Sequence, residues 1–539
     1  MMIRGRGMFD FLIQNGVVID GSGAPAFRAD VGIRGDRIVE FLPPGNGKAA
    51  KALDAGGQVV APGFIDLHSH GDFTLPACPS ADSLIHQGVT TAVVGQCGFS
   101  LAPLLPRTRE EVIASLETRK YPIPWEEWTD FGSYLDFMDR LRPAVNVVPL
   151  VGQGTVRAGV MGFASGPATP ARMEEMQAEV CKAMEQGAWG VSTGLVYPPG
   201  SYASTEELTE LVRGTAGRLR GFYFTHLRGE GHTLLQAVEE AVRIGRETGA
   251  AVQIGHLKAG WPANWDKQAR ALEMIEEARK EGLDIQADVY PYLAGATSLK
   301  SLLPDWAQEG GKEATLLRLK DPVLRRRMAA DMQEEGFGRG ASWDRIRISR
   351  AGRRPEYAGR FVSELSSNAG RRPEEWVFDA LVENDLDMGM ITFMMSEENL
   401  RAALRHPAVM IGSDSTVLAA QGPLAQGAPH PRTFGTFPRV LGRYVREEKV
   451  LSLEEAVRKM SGLPARRLGL EDRGLLRPGG RADLVVFDPA AVQDRATYEN
   501  PFQYPAGISH VICNGFPVLA EGRATGARPG RVLRRKGPG

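Results

Sequence analysis

Two kinds of hydrophobic pattern follow each other along the chain. In its first part, short apolar runs such as DVGIRG and RIVEFL are separated by Gly, Pro and Asp, which is typical of β-strands joined by turns. The same pattern returns near the other end, in GGRADLVVFDP and SHVICNGFPV. Because chain ends often lie close together in folded proteins, we predict one small β-sandwich domain built from both termini, residues 1–61 and 471–539.

Between these segments, short apolar strands alternate with amphipathic helices. Helix ends are marked as well: Ser204 and Glu207 form a predicted capping box, and Gly187 follows the helix MEEMQAEVCKAMEQ. The candidate strands are 63–68, 89–95, 145–151, 188–193, 221–226, 252–257, 284–290 and 408–413. Eight strand–helix units favour an α/β fold of the (β/α)8 TIM-barrel type, although a doubly wound open sheet would give the same local pattern.

A ninth candidate strand, MGMITFMM at 388–395, exceeds the count of eight. We assign it to an insertion late in the barrel, residues 296–395, which also holds the charged helix DPVLRRRMAADMQEEG and the strand RIRISR. The catalytic barrel is therefore predicted in two parts, 62–295 and 396–470.

Composition and charge narrow the class of function. Charged residues make up 24% of the chain and the net charge is −1, which argues against nucleic acid or a membrane surface as a partner. No apolar run has the length of a membrane-spanning helix, and the start of the chain lacks the apolar stretch of a signal peptide, so we expect a soluble, cytoplasmic protein. Four cysteines at no regular spacing argue against a disulfide framework and leave a chemical role for a thiolate open.

Side chains of metal-ligand type fall at the carboxyl ends of the predicted strands, where a barrel places its active site. GFIDLHSHGD ends the first strand with two histidines, whose spacing turns both imidazoles to the same side of an extended chain. TTAVVGQCGFS, FYFTHL, VQIGHLKAG and VMIGSDS end four other strands with a cysteine, two histidines and an aspartate. The six residues are His68, His70, Cys97, His226, His256 and Asp414.

Structural roles are the alternative for each of these residues. A lone strand histidine is more often hydrogen-bonded within the fold than bound to a metal, and an aspartate placed like Asp414 can cap a helix. Four of the nine histidines occupy equivalent strand ends, however, which favours one shared site. His430, in a loop near the predicted mouth of the site, is left open. The histidines that receive no chemical role are His86, His232, His406 and His510.

The same segments resemble a known family. GFIDLHSHGD at the end of a first strand resembles the amidohydrolase superfamily. Further segments resemble the D-aminoacylase family, also called N-acyl-D-amino-acid deacylases. These segments are VVGQCGFSLAP, GVSTGLVYPPGSYASTEEL, THLRGE, DVYPYLAGATSL, GSDS and PHPRTFGTFPRVLGRY. The cysteine in GQCGFS and the YPPGSYAS segment are the most specific of these elements.

The resemblance implies a tight zinc site at Cys97, His226 and His256 and a weaker second metal site at His68 and His70. A thiolate with two neutral imidazoles suits Zn²⁺ and leaves a fourth coordination position open. Many members of the superfamily instead bridge two metals with a carboxylated lysine of the fourth strand, but that strand, GAWGVSTG, has no lysine. Cys97 would then take the bridging role if a second metal binds.

The reaction implied is the hydrolysis of N-acyl-D-amino acids to a carboxylate and a free D-amino acid. Zinc lowers the pKa of its bound water to about 7, which makes hydroxide available at neutral pH. Asp414, at the position of the family's catalytic aspartate, would act as general base and return the proton to the departing amine. The expected partners of this small-molecule substrate are Lys258, Arg432, Tyr197 and Tyr290.

Sequence position supports the two cationic partners. Lys258 follows His256 by two residues and so projects to the same side of an extended chain, and Arg432 offers a planar guanidinium for a carboxylate. Two positions depart from the family pattern: Gln153 stands where many relatives have histidine, and Ser415 where glycine is more usual. Neither is a proposed zinc ligand, so we expect both to bear on substrate range.

Two rival functions are weighed against this one. The first is another C–N hydrolase on the same barrel, acting on a cyclic amide or a dipeptide; the missing lysine argues against the hydantoinase and dihydroorotase type. A non-catalytic scaffold of the same fold should lose ligands, whereas this chain keeps all six.

Overall fold

The two ends of the chain meet in one β-sheet. The structure is a computed structural model that describes residues 8–116, 121–334 and 342–535. Strand Val59–Pro62 pairs antiparallel with Leu484–Phe487 and thereby joins the strands of the two ends. The nine strands of this sheet are Phe9–Val18, Phe27–Arg34, Arg37–Leu42, Ala49–Asp54, Val59–Pro62, Leu484–Phe487, Ile508–Cys513, Phe516–Ala520 and Arg523–Ala524.

One apolar cluster of this sheet takes side chains from both ends of the chain, among them Ile13, Val31, Leu484 and Ile512. The prediction that both termini build one β domain is thus confirmed as a shared sheet, while the sandwich packing and the domain boundaries stay predictions. Residues 1–7 and 536–539 of the two predicted segments lie outside the described residues.

Parallel strands carry the middle of the chain. One sheet consists of Phe64–Asp66, Val89–Val94 and Asn146–Pro149. The other consists of Val151–Gly152, Gly190–Gly194, Phe222–His226, Ala251–Ile254, Ile285–Val289 and Val409–Ile411. Most of these strands are buried along their whole length, which is typical of parallel strands covered on both faces.

Each predicted strand corresponds to an observed one, and the predicted strand 145–151 is divided between the two sheets. Neighbours in both sheets follow the order of the chain, unlike the reversed order of a doubly wound sheet. A parallel bridge between Ser69 and Ser415 joins the ends of the first and last strands. The described strands form two sheets and not one closed ring, so the barrel stays a prediction.

Helices connect the parallel strands and cover them. Ser204 caps the helix Thr205–Val212, because its hydroxyl accepts a hydrogen bond from the Glu207 amide at 3.2 Å. The other half of the predicted capping box is wrong, since the Glu207 carboxylate accepts instead from Arg157 at 3.0 Å and from the Ala168 amide at 3.1 Å. Among the described residues, every helix is too short or too polar to cross a membrane. The α-helices are Asp82–Ile85, Arg109–Ser115, Phe131–Leu141, Gln153–Met161, Pro170–Glu185, Thr205–Val212, Leu234–Thr248, Lys267–Lys280, Asp305–Gln308, Gly311–Lys320, Pro322–Glu334, Val362–Asn368, Pro373–Glu383, Glu397–Arg405, Arg432–Arg439, Leu453–Met460 and Gly462–Leu468.

The ninth candidate strand lies in a separate antiparallel sheet. Met388–Thr392 pairs with Gly295–Ser298 on one side and with Ile346–Ala351 on the other. An apolar cluster that includes Met388 and Ile346 packs against this sheet and is distinct from the core around the parallel strands. This second cluster also takes in Trp261, Tyr290 and Tyr292 from outside the predicted insertion, so the boundaries 296–395 stay a prediction.

Candidate active site

The structure brings all six predicted ligand-type side chains together at the carboxyl ends of the parallel strands. They form two groups, in each of which the potential ligand atoms lie within 4.8 Å of one another. One group is Cys97, His226 and His256, and the other is His68, His70, Cys97 and Asp414. Cys97 belongs to both groups, which is the geometry expected of a bridging thiolate.

Cys97 lies at the centre of the cluster. Its Sγ is 3.3 Å from His68 Nε2 and 3.8 Å from His256 Nε2. Burial alone would raise the pKa of the Cys97 thiol, but the neighbouring imidazoles, His68 foremost, hold it well below its ordinary value. The thiolate, which is the form that binds metals, is therefore favoured here.

Three site residues adopt a left-handed backbone conformation. The φ angles of Cys97, His256 and Asp414 are +52°, +35° and +50°. Such angles are uncommon for residues other than glycine, and they recur where a function depends on the direction of a side chain. Each of these residues lies two or three positions after the end of its strand, and its side chain belongs to the cluster.

His226 shows that the cluster fits a metal. Its side chain is buried, yet neither ring nitrogen has a hydrogen-bond partner among the described residues. A buried polar atom without a partner costs about 1–3 kcal/mol, and a metal ion bound by His226 would supply such a partner. Burial lowers the pKa of His226, which favours the neutral imidazole that metal ions require.

Asp414 faces both the histidines and a cation. Its Oδ1 lies 3.2 Å from His70 Nε2 and 3.5 Å from His68 Nε2, while Oδ2 lies 2.8 Å from a guanidinium nitrogen of Arg432. Burial would raise the pKa of Asp414, but Arg432, together with His256 and His68, holds it well below the usual range. The carboxylate is thus ionised at neutral pH and can accept a proton.

Two buried carboxylates that the sequence interpretation missed lie beside the histidines. Asp288 Oδ1 lies 3.1 Å from His68 Nδ1 and accepts the His256 amide at 2.9 Å. Glu230 Oε1 lies 3.0 Å from His256 Nδ1. Both residues belong to segments that carry the family resemblance, DVYPYLAGATSL and THLRGE. The signal that could have found them is a carboxylate in a strand-end segment close to a ligand histidine.

The four predicted substrate-binding side chains line one cavity of about 340 Å³ together with five of the six site residues. Lys258 is buried and forms an ion pair with Glu230, and its ammonium donates to the His256 carbonyl at 2.9 Å. Arg432 pairs with Asp414 and lies 4.7 Å from the centre of the Tyr290 ring. Both cations already face carboxylates of the chain, which the sequence did not indicate.

The two tyrosines differ in their contacts. The Tyr197 hydroxyl lies 2.9 Å from Thr297 Oγ1 of the antiparallel sheet, so it links the parallel strands to the insertion. Tyr290 is almost fully buried beneath Arg432 and lines the cavity. Their predicted contacts with substrate stay predictions.

His430, left open by the sequence, has both ring nitrogens engaged. Nε2 lies 2.9 Å from the Ala294 carbonyl, and Nδ1 accepts a hydrogen bond from the Arg432 amide at 3.0 Å. His430 therefore holds the loop that presents Arg432. The four histidines that received no chemical role are not among the described residues that line the cavity; they are His86, His232, His406 and His510.

The two positions that depart from the family pattern also differ. Ser415 lines the cavity, and its carbonyl accepts a hydrogen bond from the His70 amide at 2.9 Å. Gln153 is buried at the start of its helix and lies outside the described lining of the cavity. Of the two, Ser415 is the one placed to influence substrate range.

Known proteins share this fold and sequence along nearly the whole chain. The model of the Amidohydrolase family matches residues 51–519. D-aminoacylase of Alcaligenes xylosoxydans xylosoxydans is 39% identical over 535 residues, which cover 98% of each chain.

Two solved structures extend this similarity to three dimensions. N-acyl-D-glutamate deacylase of Bordetella bronchiseptica, in complex with zinc and a phosphonate that mimics the tetrahedral intermediate, is 36% identical, with a TM-score of 0.82 and coverage of 98% of this chain and 100% of that one. A D-aminoacylase whose binuclear centre shows one-metal activation and second-metal attenuation is 38% identical, with a TM-score of 0.81 and the same coverage.

Proposed function

The chain belongs to the D-aminoacylase family of amidohydrolases, the N-acyl-D-amino-acid deacylases, and from this premise we propose that it hydrolyses N-acyl-D-amino acids to a carboxylate and a free D-amino acid. The observation that carries the proposal is the convergence of Cys97, His226 and His256 with the ionised Asp414 in one cavity. We further propose that the two parallel sheets, joined at Ser69 and Ser415, form a (β/α)8 barrel.

In this proposal Cys97, His226 and His256 hold one zinc ion tightly, and His68 and His70 hold a second metal weakly. When bound, zinc would supply a Lewis acid and activate water at neutral pH. The lowered pKa of Cys97 and the unpartnered imidazole of His226 support the tight set. His70 already contacts Asp414, so a metal held by His68 and His70 would compete with this contact.

Asp414 transfers the proton. As a carboxylate beside the cavity, it takes a proton from the attacking water while the water oxygen bonds to the acyl carbon. The same carboxyl group then gives the proton to the amide nitrogen as the C–N bond breaks, so that the amine leaves in neutral form. Arg432 keeps the carboxylate ionised between turnovers.

The α-carboxylate of the substrate is bound by the cationic wall of the cavity. Arg432 and Lys258 supply the charge, and Tyr197 and Tyr290 supply hydroxyl groups. Arg432 also pairs with Asp414, and Lys258 also pairs with Glu230. The substrate carboxylate therefore binds cations that each already contact a carboxylate of the chain. This fixed anchor beside the metal set allows one enantiomer to present its acyl carbonyl to the water.

The experiment that tests this function compares enantiomers. We expect kcat/KM for N-acetyl-D-methionine to exceed that for N-acetyl-L-methionine by at least about 100-fold, because the anchored L-form turns its acyl group away from the water. Zinc-loaded enzyme should be assayed with both enantiomers, and with the N-acetyl derivatives of D-glutamate and D-aspartate to identify the preferred side chain. Equal turnover of the two methionine derivatives would contradict the proposal.

A further inference from the structure

Glu230 lies between the two histidines of the tight zinc set without being a ligand of that set. Its carboxylate is 8% exposed, and Oε1 lies 3.0 Å from His256 Nδ1 and 3.7 Å from His226 Nε2. The Glu230 carbonyl accepts a hydrogen bond from the Gly260 amide at 2.6 Å, which ties this loop to the loop that follows His256. This hydrogen bond fixes the backbone of Glu230, while the ion pair with Lys258 holds its carboxylate.

The two ring nitrogens of His256 face different neighbours. Nε2 points toward Cys97 Sγ, at 3.8 Å, whereas Nδ1 faces Glu230 and also lies 2.8 Å from Lys258 Nζ. A neutral imidazole carries one ring proton, so a metal at Nε2 requires that proton on Nδ1. The neighbour of Nδ1 must then be a hydrogen-bond acceptor.

Lys258 and Glu230 act in opposite directions on this proton. An ammonium group can donate but cannot accept, so Lys258 alone beside Nδ1 would favour the tautomer with the proton on Nε2, where it would oppose a metal. Glu230 Oε1 lies 3.0 Å from Nδ1, close enough to accept a proton there, and it also binds the Lys258 ammonium as an ion pair. The balance between these two side chains therefore affects whether Nε2 of His256, the nitrogen that faces Cys97, carries the ring proton.

We infer that Glu230 is a positioning residue of the metal centre: when a metal binds, it accepts the Nδ1–H of His256 and so leaves the Nε2 lone pair for the metal, while it holds the Lys258 ammonium as an ion pair. This inference rests on the ligand set of the proposed function. Carboxylates that orient ligand histidines typically change metal affinity by about 10- to 100-fold when they are lost.

Zinc affinity of the metal-free protein tests the inference directly. Titration in competition with a chromophoric chelator should show about 10- to 100-fold weaker zinc binding for E230Q than for the wild type. Glu240 offers a matched control, because its carboxylate is 9% exposed and pairs with Arg228 at 2.9 Å, so E240Q should keep wild-type zinc affinity. Circular dichroism and melting of the metal-free proteins separate a loss of fold from a loss of metal.

A double variant separates the tautomer argument from a general effect of charge. In E230Q/K258M the competing donor is gone, so zinc should bind more tightly than to E230Q. Zinc affinity of E230Q equal to that of the wild type, or a double variant that binds no more tightly than E230Q, would overturn the inference. A wild type that binds zinc but hydrolyses no N-acyl-D-amino acid would instead contradict the proposed function.

Discussion

Replacement of Cys97 by alanine is expected to remove the tightly held zinc and to reduce hydrolysis to background. Cys97 belongs to both clusters of ligand-type atoms, so C97A takes one donor from each. It also removes the negative charge that the surrounding imidazoles stabilise. Two histidines alone do not complete the N/S donor sets that hold zinc tightly. The zinc content measured by elemental analysis should fall from close to one zinc per chain in the wild type to almost none in C97A.

Cys181 supplies the control for this substitution. It lies half-buried on helix Pro170–Glu185, outside both clusters, and its Sγ accepts a hydrogen bond from Arg218 at 3.0 Å. C181A should keep its zinc and its activity. Full zinc retention in C97A would exclude Cys97 from the metal site and leave the tight set without its thiolate.

The second large effect is expected at Asp414. Asparagine has nearly the same shape as aspartate but cannot take a proton, so D414N should lower kcat by about 10²- to 10⁴-fold. Zinc content should stay near the wild-type value, because the tight set of Cys97, His226 and His256 is unchanged. Steady-state kinetics and metal analysis on the same preparation measure both quantities.

Asp494 provides an equivalent pair away from the site. Its carboxylate lies 2.8 Å from Arg439, the same distance as between Asp414 and Arg432, and it is 13% exposed against 11% for Asp414. D494N therefore measures the effect of weakening a largely buried Arg–Asp pair outside the site. This variant should retain most of its activity. Loss of the tight zinc in D414N would make Asp414 principally a ligand, and retained activity would exclude it as the proton carrier.

The sequence predicted the convergence of six side chains because parallel strands end at the same edge of a sheet. Short, continuously apolar runs located those strands, and His68, Cys97 and Asp414 each come two or three residues after the end of one of them. The closure of the strands into a barrel could not be read in this way, since it depends on the tilt and pairing of strands far apart in the chain. The structure shows two sheets joined at Ser69 and Ser415.

The polar surroundings of the site were predicted less well. Lys258 and Arg432 were expected as cations for the substrate, but their pairing with Glu230 and Asp414 depends on how separate loops approach each other. Residue spacing carries little information about such contacts. The capping box failed for a similar reason, because Arg157 from another helix takes the Glu207 carboxylate.

Because the two chain ends share one sheet, a strand near the amino terminus is synthesised long before the strand with which it pairs. Strand Val59–Pro62 leaves the ribosome about 420 residues ahead of its partner Leu484–Phe487, which at about 5–20 residues per second is a delay of roughly 20 to 80 s. During this interval the buried strand has an unpaired edge, the kind of edge that pairs with other chains. A chain truncated before Leu484 would keep this edge of Val59–Pro62 unpaired permanently.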